Sequence, residues 1–410
     1  MPFTSQRFLR SVVALVLAIG PLAVSAQAPR KLTPGEVAEG LYQLPSGWRT
    51  RPAGKQVPLP ASPMAAKVSP DGRYVAVLSA DAAGSTLLLL HPTDLREMAR
   101  VAVPGTWIGL AINKAGDRIY VGGGVQPAVF EFAYENQQLR QARQFDLSGS
   151  GGQTSNLFVG DVALSADEKR LYVARLHRNG IDVVDVGSGA VVTRFGTGRR
   201  PYRILPHPQG NFVYISSWAD GSIYRHRAEN GAMVDRIPVG AHTTDMVFVP
   251  GRMEPEETDD PNKPLPFVAR IFVTAGNTNS AYVVGVEESG ALTLHESINL
   301  SLSLNHPMGA TPTALAYNEE TKQLLIACAD LNAVAVADVR TTHSHMLGFV
   351  PVGWYPVSVV LPTKNRVATL NLRGSRSYPS SPERRIEGSA SMLPLPSSEE
   401  MEAHTRTGLA

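Results

Sequence analysis

Six residues combine useful side-chain chemistry with a recurring place in the chain: Trp107, Tyr202, Arg203, His242, Trp354 and Tyr355. Indole and phenol faces can stack a flat molecule, and a guanidinium can grip an anionic group through two parallel hydrogen bonds. Several of the six follow short apolar phrases that end in glycine: Val101-Ala102-Val103-Pro104-Gly105, Ile237-Pro238-Val239-Gly240 and Val350-Pro351-Val352-Gly353. GFVPVGWYPVSVV, residues 348–360, is the fullest example. One apolar run ends, the chain turns at Gly353, and a second apolar run begins after Trp354-Tyr355-Pro356. Arg199-Arg200-Pro201-Tyr202-Arg203 is the densest basic cluster, open to two readings: a grip on an anionic ligand, or a solvated rim.

Other reactive types are scattered. His343-Ser344-His345 has two metal-binding side chains, but no Cys, Asp or Glu completes a local set, and RTTHSHMLG reads as a solvated hairpin loop. His242, Asp161 and Asp245 are the only candidates for acid–base work, and for His242 structural packing is the expected role. The single cysteine, Cys328, lies in the apolar run LLIACAD and reads as a small buried hydrophobe. No Gly-x-Ser-x-Gly elbow, phosphate-binding glycine loop or His-Glu-x-x-His helix is present. SGSGG at 148–152 is a connector, because no helix follows it. No catalytic residue, metal or cofactor is therefore assigned. Residues 27–410 also lack the clustered Asp and His of a metal-dependent phosphatase.

The elements that position the six residues follow from composition and period. Charged residues make up 18% of the 410, below the roughly 25% of ordinary soluble domains, while 36 Gly and 31 Pro exceed average usage. That balance favours a sheet-rich fold with many tight turns. The first 26 residues read as a secretory signal peptide: Arg7 and Arg10, an apolar core from Val12 to Leu22, and a small-residue cleavage site at Val24-Ser25-Ala26. The formal charge is +2, and removing the two leader arginines leaves a near-neutral chain with no bulk electrostatic pull on nucleic acid or anionic membrane.

One pattern recurs along the rest: an approach, a turn, then a β-branched run. Examples are VSPDGRYVAVLS, INKAGDRIYVGG, LSADEKRLYVAR and PHPQGNFVYISS. Its anchors Ala76, Tyr120, Tyr172, Tyr214, Phe272, Leu325 and Ala368 return every 42 to 58 residues. That period matches four-stranded propeller blades, with insertions such as GRMEPEETDDPNKPLP in the longer intervals. A second hairpin follows each anchor, turning at Gly187-Ser188-Gly189 or at Asn230-Gly231, where both central residues are expected at positive φ. The fold class is all-β, a seven-bladed β-propeller of four-stranded antiparallel blades preceded by a signal peptide. The glycine phrases are then blade crossings, which bring the six residues to the mouth of one central channel. There Trp107, Trp354 and Tyr355 either stack a ligand or fill the channel top.

The phrases SPDGRYVAV, LYVA, VDVGSGAVV and NAVAVADV resemble the YVTN repeats of exported, YncE-like seven-bladed propellers. The likeness spans roughly residues 41–400; Thr243 stands where that family usually has Pro, and the fifth and seventh repeats lack the SPDG turn. LPSGWRTRPAGKQVPLP, GFVPVGWYPVSVV, SASMLPLP and EEMEAHTRTGLA are similar to the propeller half of two-part proteins whose other half is an alkaline-phosphatase-like hydrolase. The resemblance implies an accessory half of a phosphatase-like system.

The expected organisation is a signal peptide at 1–26, an N-terminal extension at 27–54, the propeller at 55–400 and a C-terminal tail at 401–410. Residues 55–60 are expected to close the ring as a strand beside 389–396, and Trp48 to pack outside it. The expected function is a periplasmic or secreted non-catalytic binding or scaffold module, monomeric, with an unidentified small-molecule or protein partner. No membrane span remains after leader removal. The alternative is a lactonase-like or dehydrogenase-like propeller enzyme acting at the funnel.

Overall fold

The computed structural model describes residues 34–44, 49–149, 157–301, 309–374, 377 and 387–409. The leader and Trp48 lie outside the described residues, as does most of the 148–152 connector. The fold is all-β, built from seven four-stranded antiparallel sheets and one three-stranded sheet among the described residues. In chain order the first strands of the seven are Ser62–Val68, Leu110–Ile112, Val159–Leu164, Pro201–Pro206, Thr243–Pro250, Pro312–Asn318 and Pro356–Thr363. Every anchor read from the sequence falls on a second strand, from Ala76 in Val75–Asp81 to Ala368 in Arg366–Asn371, and all seven are buried. The fourth strands differ: Val191–Gly196 alternates half-buried and exposed residues, as a strand with one wet face must.

The sheets form a closed ring. Their first strands touch in order, and that of the seventh sheet touches that of the first. The apolar clusters repeat this arrangement. Tyr120, Val129 and Phe145 of the second sheet pack with Val162, Leu171 and Val173 of the third. Ala368, Leu370 and Ala390 of the seventh pack with Val75, Val77 and Leu88 of the first. Each sheet is thus sandwiched between neighbours, which explains the near-continuous apolar runs of its middle strands.

Closure uses both chain ends. Lys55–Leu59 is the outer strand of the seventh sheet, antiparallel to Gly388–Pro394 with Leu59 opposite Gly388 and Lys55 opposite Met392. Ser391 Oγ donates to Gln56 Oε1 at 2.8 Å, tying the two ends by side chains as well. The expected extension carries a small sheet of its own, Gly35–Ala38, Leu41–Gln43 and Arg49–Thr50.

The structure adds two details to the sequence reading. The expected tail is a helix, Ser398–Leu409, lying on the strand His345–Pro351. Ser397 and Glu400 form a capping box, Ser397 N donating to Glu400 Oε2 at 2.8 Å and Glu400 N to Ser397 Oγ at 3.3 Å. Met401 is buried, and Gly348 admits the helix because a Cβ there would strike Thr405 and Met401. The Asn230-Gly231 turn is also not the tight two-residue hairpin: of the pair only Gly231 has positive φ, 74°. Gly231 N donates to the Arg227 carbonyl at 2.8 Å, and Asn230 Oδ1 accepts from Ala232 N at 2.9 Å. The asparagine side chain braces a wider turn instead of entering the left-handed region itself.

Candidate functional site

The crossings between sheets and the turns between second and third strands meet at one end of the ring. Arg200, His242, Thr311 and Tyr355 hold the same place in four repeats, just before the first strand, and each has left-handed φ: 57°, 60°, 47° and 63°. Non-glycine residues adopt this conformation only when their surroundings fix it. Here their carbonyls accept from Trp218, Gly276, Ala329 and Leu372, the second-to-third turns of their own sheets. Asparagines from the preceding sheet's turn complete the hold. Asn179 Oδ1 accepts from Arg200 N at 3.1 Å, Asn332 Oδ1 from Tyr355 N at 2.9 Å, and Asn279 Oδ1 from Ala310 N at 2.8 Å.

Immediately inside this rim, the first strands of the third, fourth and fifth sheets each carry a bulge. Register shifts between Val159 and Val162, Pro201 and Ile204, and Thr243 and Met246. A bulge re-aims side chains, and the three re-aimed residues are Asp161, Arg203 and Asp245. Arg203 Nε donates to Asp245 Oδ1 at 3.0 Å, and its Nη1 lies 3.3 Å from Asp161 Oδ1 and 3.4 Å from the Ile108 carbonyl. One side chain therefore touches the third and fifth sheets and the crossing into the second, as a residue at the axis of the ring can. The carboxylates also hold backbone: Asp161 Oδ2 accepts from Ile204 N at 2.9 Å, and Asp245 Oδ2 from Leu315 N at 3.0 Å.

Lys67, from the first sheet, acts on this group as well. Its side chain reaches water, yet burial is the largest influence on it and lowers its pKa, with Asp161 opposing. Burial pushes the Asp161 carboxyl up, against the pull of Arg203 and Lys67. Burial works against the Arg203 charge, but Asp245 and Asp161 outweigh it and raise its pKa. Two cations and two carboxylates leave the cluster formally neutral.

Aromatic rings lie beside it. Trp107 meets Phe158 and Tyr202 edge-on, both at 5.3 Å between centroids. Phe158 in turn meets His177 at 5.4 Å. Burial raises the Tyr202 phenol, Arg203 opposes, and Asp245, Asp161 and Tyr355 add to the rise. Trp107, Tyr202 and Arg203 thus belong to one neighbourhood, while Tyr355 sits among the left-handed residues of the rim. His242 instead stacks on Trp218, 3.8 Å apart and 11° from parallel, on the rim. Trp354 borders a separate pocket of about 220 Å³ beside the closing sheet, with Tyr42, Gln56 and Arg373. The basic run divides: Arg199 pairs with Asp220, Arg200 with His177, and Arg203 enters the channel.

Sequence reasoning missed Lys67, Phe158 and Trp218, but it carried one unused signal. Asp161, Arg203 and Asp245 are spaced 42 residues apart, one short repeat, so the same blade position is charged three times running. It also missed the carboxylate near His343 and His345. Glu256, from the 251–266 insertion, lies 3.3 Å from His343 Nδ1 and 2.8 Å from His345 Nε2. Hydrogen bonds from His345, then Thr341 and His343, hold Glu256 down at about 2. Among the described residues no group of three His, Cys, Asp or Glu side chains converges as a metal site. Cys328 is buried, its thiol pushed up to about 12 by burial.

No known family profile matches the chain, and no curated protein matches it in sequence. Solved structures do match in shape. Hydrazine synthase of Kuenenia stuttgartiensis superposes with a TM-score of 0.59 at 18% identity, covering 77% of this chain and 93% of that one. A 6-phosphogluconolactonase, so described as putative, from Bacteroides fragilis NCTC 9343 gives 0.54 at 16% identity, covering 72% and 86%. Both neighbours are propeller-type folds, and at these identities the likeness is one of fold alone.

Proposed function

We propose that this chain is an exported seven-bladed propeller of the YVTN type that binds a small molecule at one channel mouth and does no chemistry on it. The carrying observation is the edge-to-face group of Trp107, Phe158 and Tyr202 beside Arg203, an apolar wall next to a fixed charge. Such sites take most binding area from apolar surface and orientation from few polar groups, so a flat ligand fits. Trp107, Tyr202 and Arg203 form the channel site, with Tyr355 and His242 on its rim and Trp354 in a neighbouring pocket. Seven four-stranded sheets and the closing strand support the blade count. The leader-like first 26 residues support a periplasmic or secreted location. The protein works as a monomer, alone or as the accessory half of a phosphatase-like system.

Both carboxylates of the cluster already accept hydrogen bonds from backbone and Arg203, which favours binding over acid–base work. A lactonase-like or dehydrogenase-like enzyme is the second reading, favoured by the raised Asp161 carboxyl beside Lys67. A thermal-shift screen of small metabolites on the mature protein, followed by calorimetry, tests the proposal. Trp107→Ala is expected to weaken a hit about tenfold or more, the scale of a lost aromatic stacking contact, with circular dichroism unchanged. Hits insensitive to both Trp107→Ala and Tyr355→Ala contradict the site. Turnover of a lactone that Asp161→Asn abolishes establishes the enzyme instead.

A further inference from the structure

We propose that Trp218 is a stacking platform for a pyranose ring of a glycan, held out on the rim of the ring's mouth. The indole lies in the turn between the second and third strands of the fourth sheet, Phe212–Ser217 and Ser222–Arg227. Its backbone N–H donates to the carbonyl of the crossing residue Arg200 at 3.0 Å. In four other sheets the residue making this same turn-to-crossing bond is Leu176, Gly276, Ala329 or Leu372. A glycine and an alanine hold the turn as well as an indole does. The bulk of Trp218 therefore serves something other than the turn.

The indole is also open and rigid. Trp218 is 38% exposed, and no other Phe, Tyr or Trp among the described residues is exposed. His242 covers one face, 3.8 Å away and 11° from parallel, so this exposure comes largely from the other face. The His242 backbone is itself fixed, with φ 60° and its carbonyl accepting from Gly276 N at 2.8 Å. The plate is thus set before a ligand arrives, which lowers the entropic cost of binding. One open face covers only one side of a ligand. An aromatic molecule would keep its second apolar face in water, whereas pockets for such molecules enclose most of their surface. A pyranose with equatorial hydroxyls lays its axial C–H groups on the indole and keeps its polar edge free for hydrogen bonds. Polar groups for that edge stand in the same turn and its crossing. The Arg199 side chain is 69% exposed, and Nε donates to Asp220 Oδ1 at 2.7 Å while Nη2 donates to the Ala219 carbonyl at 3.5 Å. The carboxylate holds the guanidinium in place beside the residue that follows the indole.

The proposal builds on the mouth reading, because His242 stands on that rim, and its test keeps the two apart. Calorimetric titration of the full chain with cellopentaose and with chitopentaose, both neutral and equatorial in their hydroxyls, is compared with adenosine as an aromatic ligand. Saturable binding of at least one oligosaccharide is expected, with adenosine weaker. Trp218→Ala should weaken the sugar about five- to tenfold, the scale of one ring contact. Its melting temperature should stay unchanged, since the sixth sheet has Ala329 at this place. His242→Ala should weaken the sugar less, and His242→Phe should restore it by stacking again, a rescue that a purely structural role would not produce. Loss in Trp218→Ala, with or without loss in Trp107→Ala, upholds the platform. No saturable binding of either oligosaccharide, equal binding by Trp218→Ala, or tighter binding of adenosine overturns it. Loss in Trp107→Ala and not in Trp218→Ala overturns it as well, while upholding the channel as the binding site.

Discussion

At one position of the repeat, three sheets carry a charge where three others carry a small neutral side chain. The third, fourth and fifth sheets place Asp161, Arg203 and Asp245 at a single position of the repeat. The first, sixth and seventh sheets have irregularities at the matching place, with Ala65, Ala314 and Ser358 there. The backbone device is the same, so the bulge itself is a property of blade geometry. What the bulge presents is a property of the individual repeat. One position in the rim turns differs in the same way. In the fourth sheet Asp220 accepts from Arg199 N at 2.7 Å and from the Ser217 and Tyr224 hydroxyls at 2.9 and 3.0 Å. At the corresponding turn position the sixth sheet has Leu331, which joins its apolar cluster. At this one turn position an apolar contact stands in the sixth sheet where a polar hub stands in the fourth.

The sharpest way to break the comparison is to alter the same position in each group of sheets. Arg203→Met leaves two carboxylates at the axis, one of them buried, with only Lys67 opposing them. Removing one partner of a buried ion pair costs about 3–5 kcal/mol, so the urea midpoint should fall strongly. Ser358→Ala, at the matching position of the seventh sheet, should change stability by under about 1 kcal/mol. Equal losses would mean that the two groups do not differ at this position in what holds them.

A smaller effect should appear in acid. Asp220 is drawn down to about 2: burial opposes this, but hydrogen bonds from Arg199, Ser217 and Tyr224 outweigh it. A carboxyl depressed in the folded state stabilises the protein above its unfolded value near 3.9. That contribution is lost as pH falls through the folded value. Thermal melts of the native protein and Asp220→Asn should therefore converge between about pH 4 and 2. A constant gap across that window would remove Asp220 from the list of acid-sensitive contacts.

How much of this was legible depended on distance along the chain. The seven anchors could be read because burial between neighbouring sheets forces β-branched and aromatic residues onto every second strand, and the tight turns repeat with them. The closing strand was legible because KQVPLP stood outside the first full repeat. The helix at 398–409 announced itself through Ser397 and Glu400, a local signal that went unread. The meeting of Arg203 with Asp161, Asp245 and Lys67 is different in kind. It depends on how closely the first strands approach the axis, which no local pattern encodes. Likewise, nothing near His343 and His345 points to Glu256, which arrives on an insertion from the preceding sheet.

The central claim is that Asp161, Arg203 and Asp245 act as one unit across the axis. A double-mutant cycle with Arg203→Met and Asp245→Asn, read by urea unfolding, tests it most directly. For groups that share a buried network the account predicts a coupling above about 1 kcal/mol. Losses that add to within about 0.3 kcal/mol would contradict it, because independent sites behave that way.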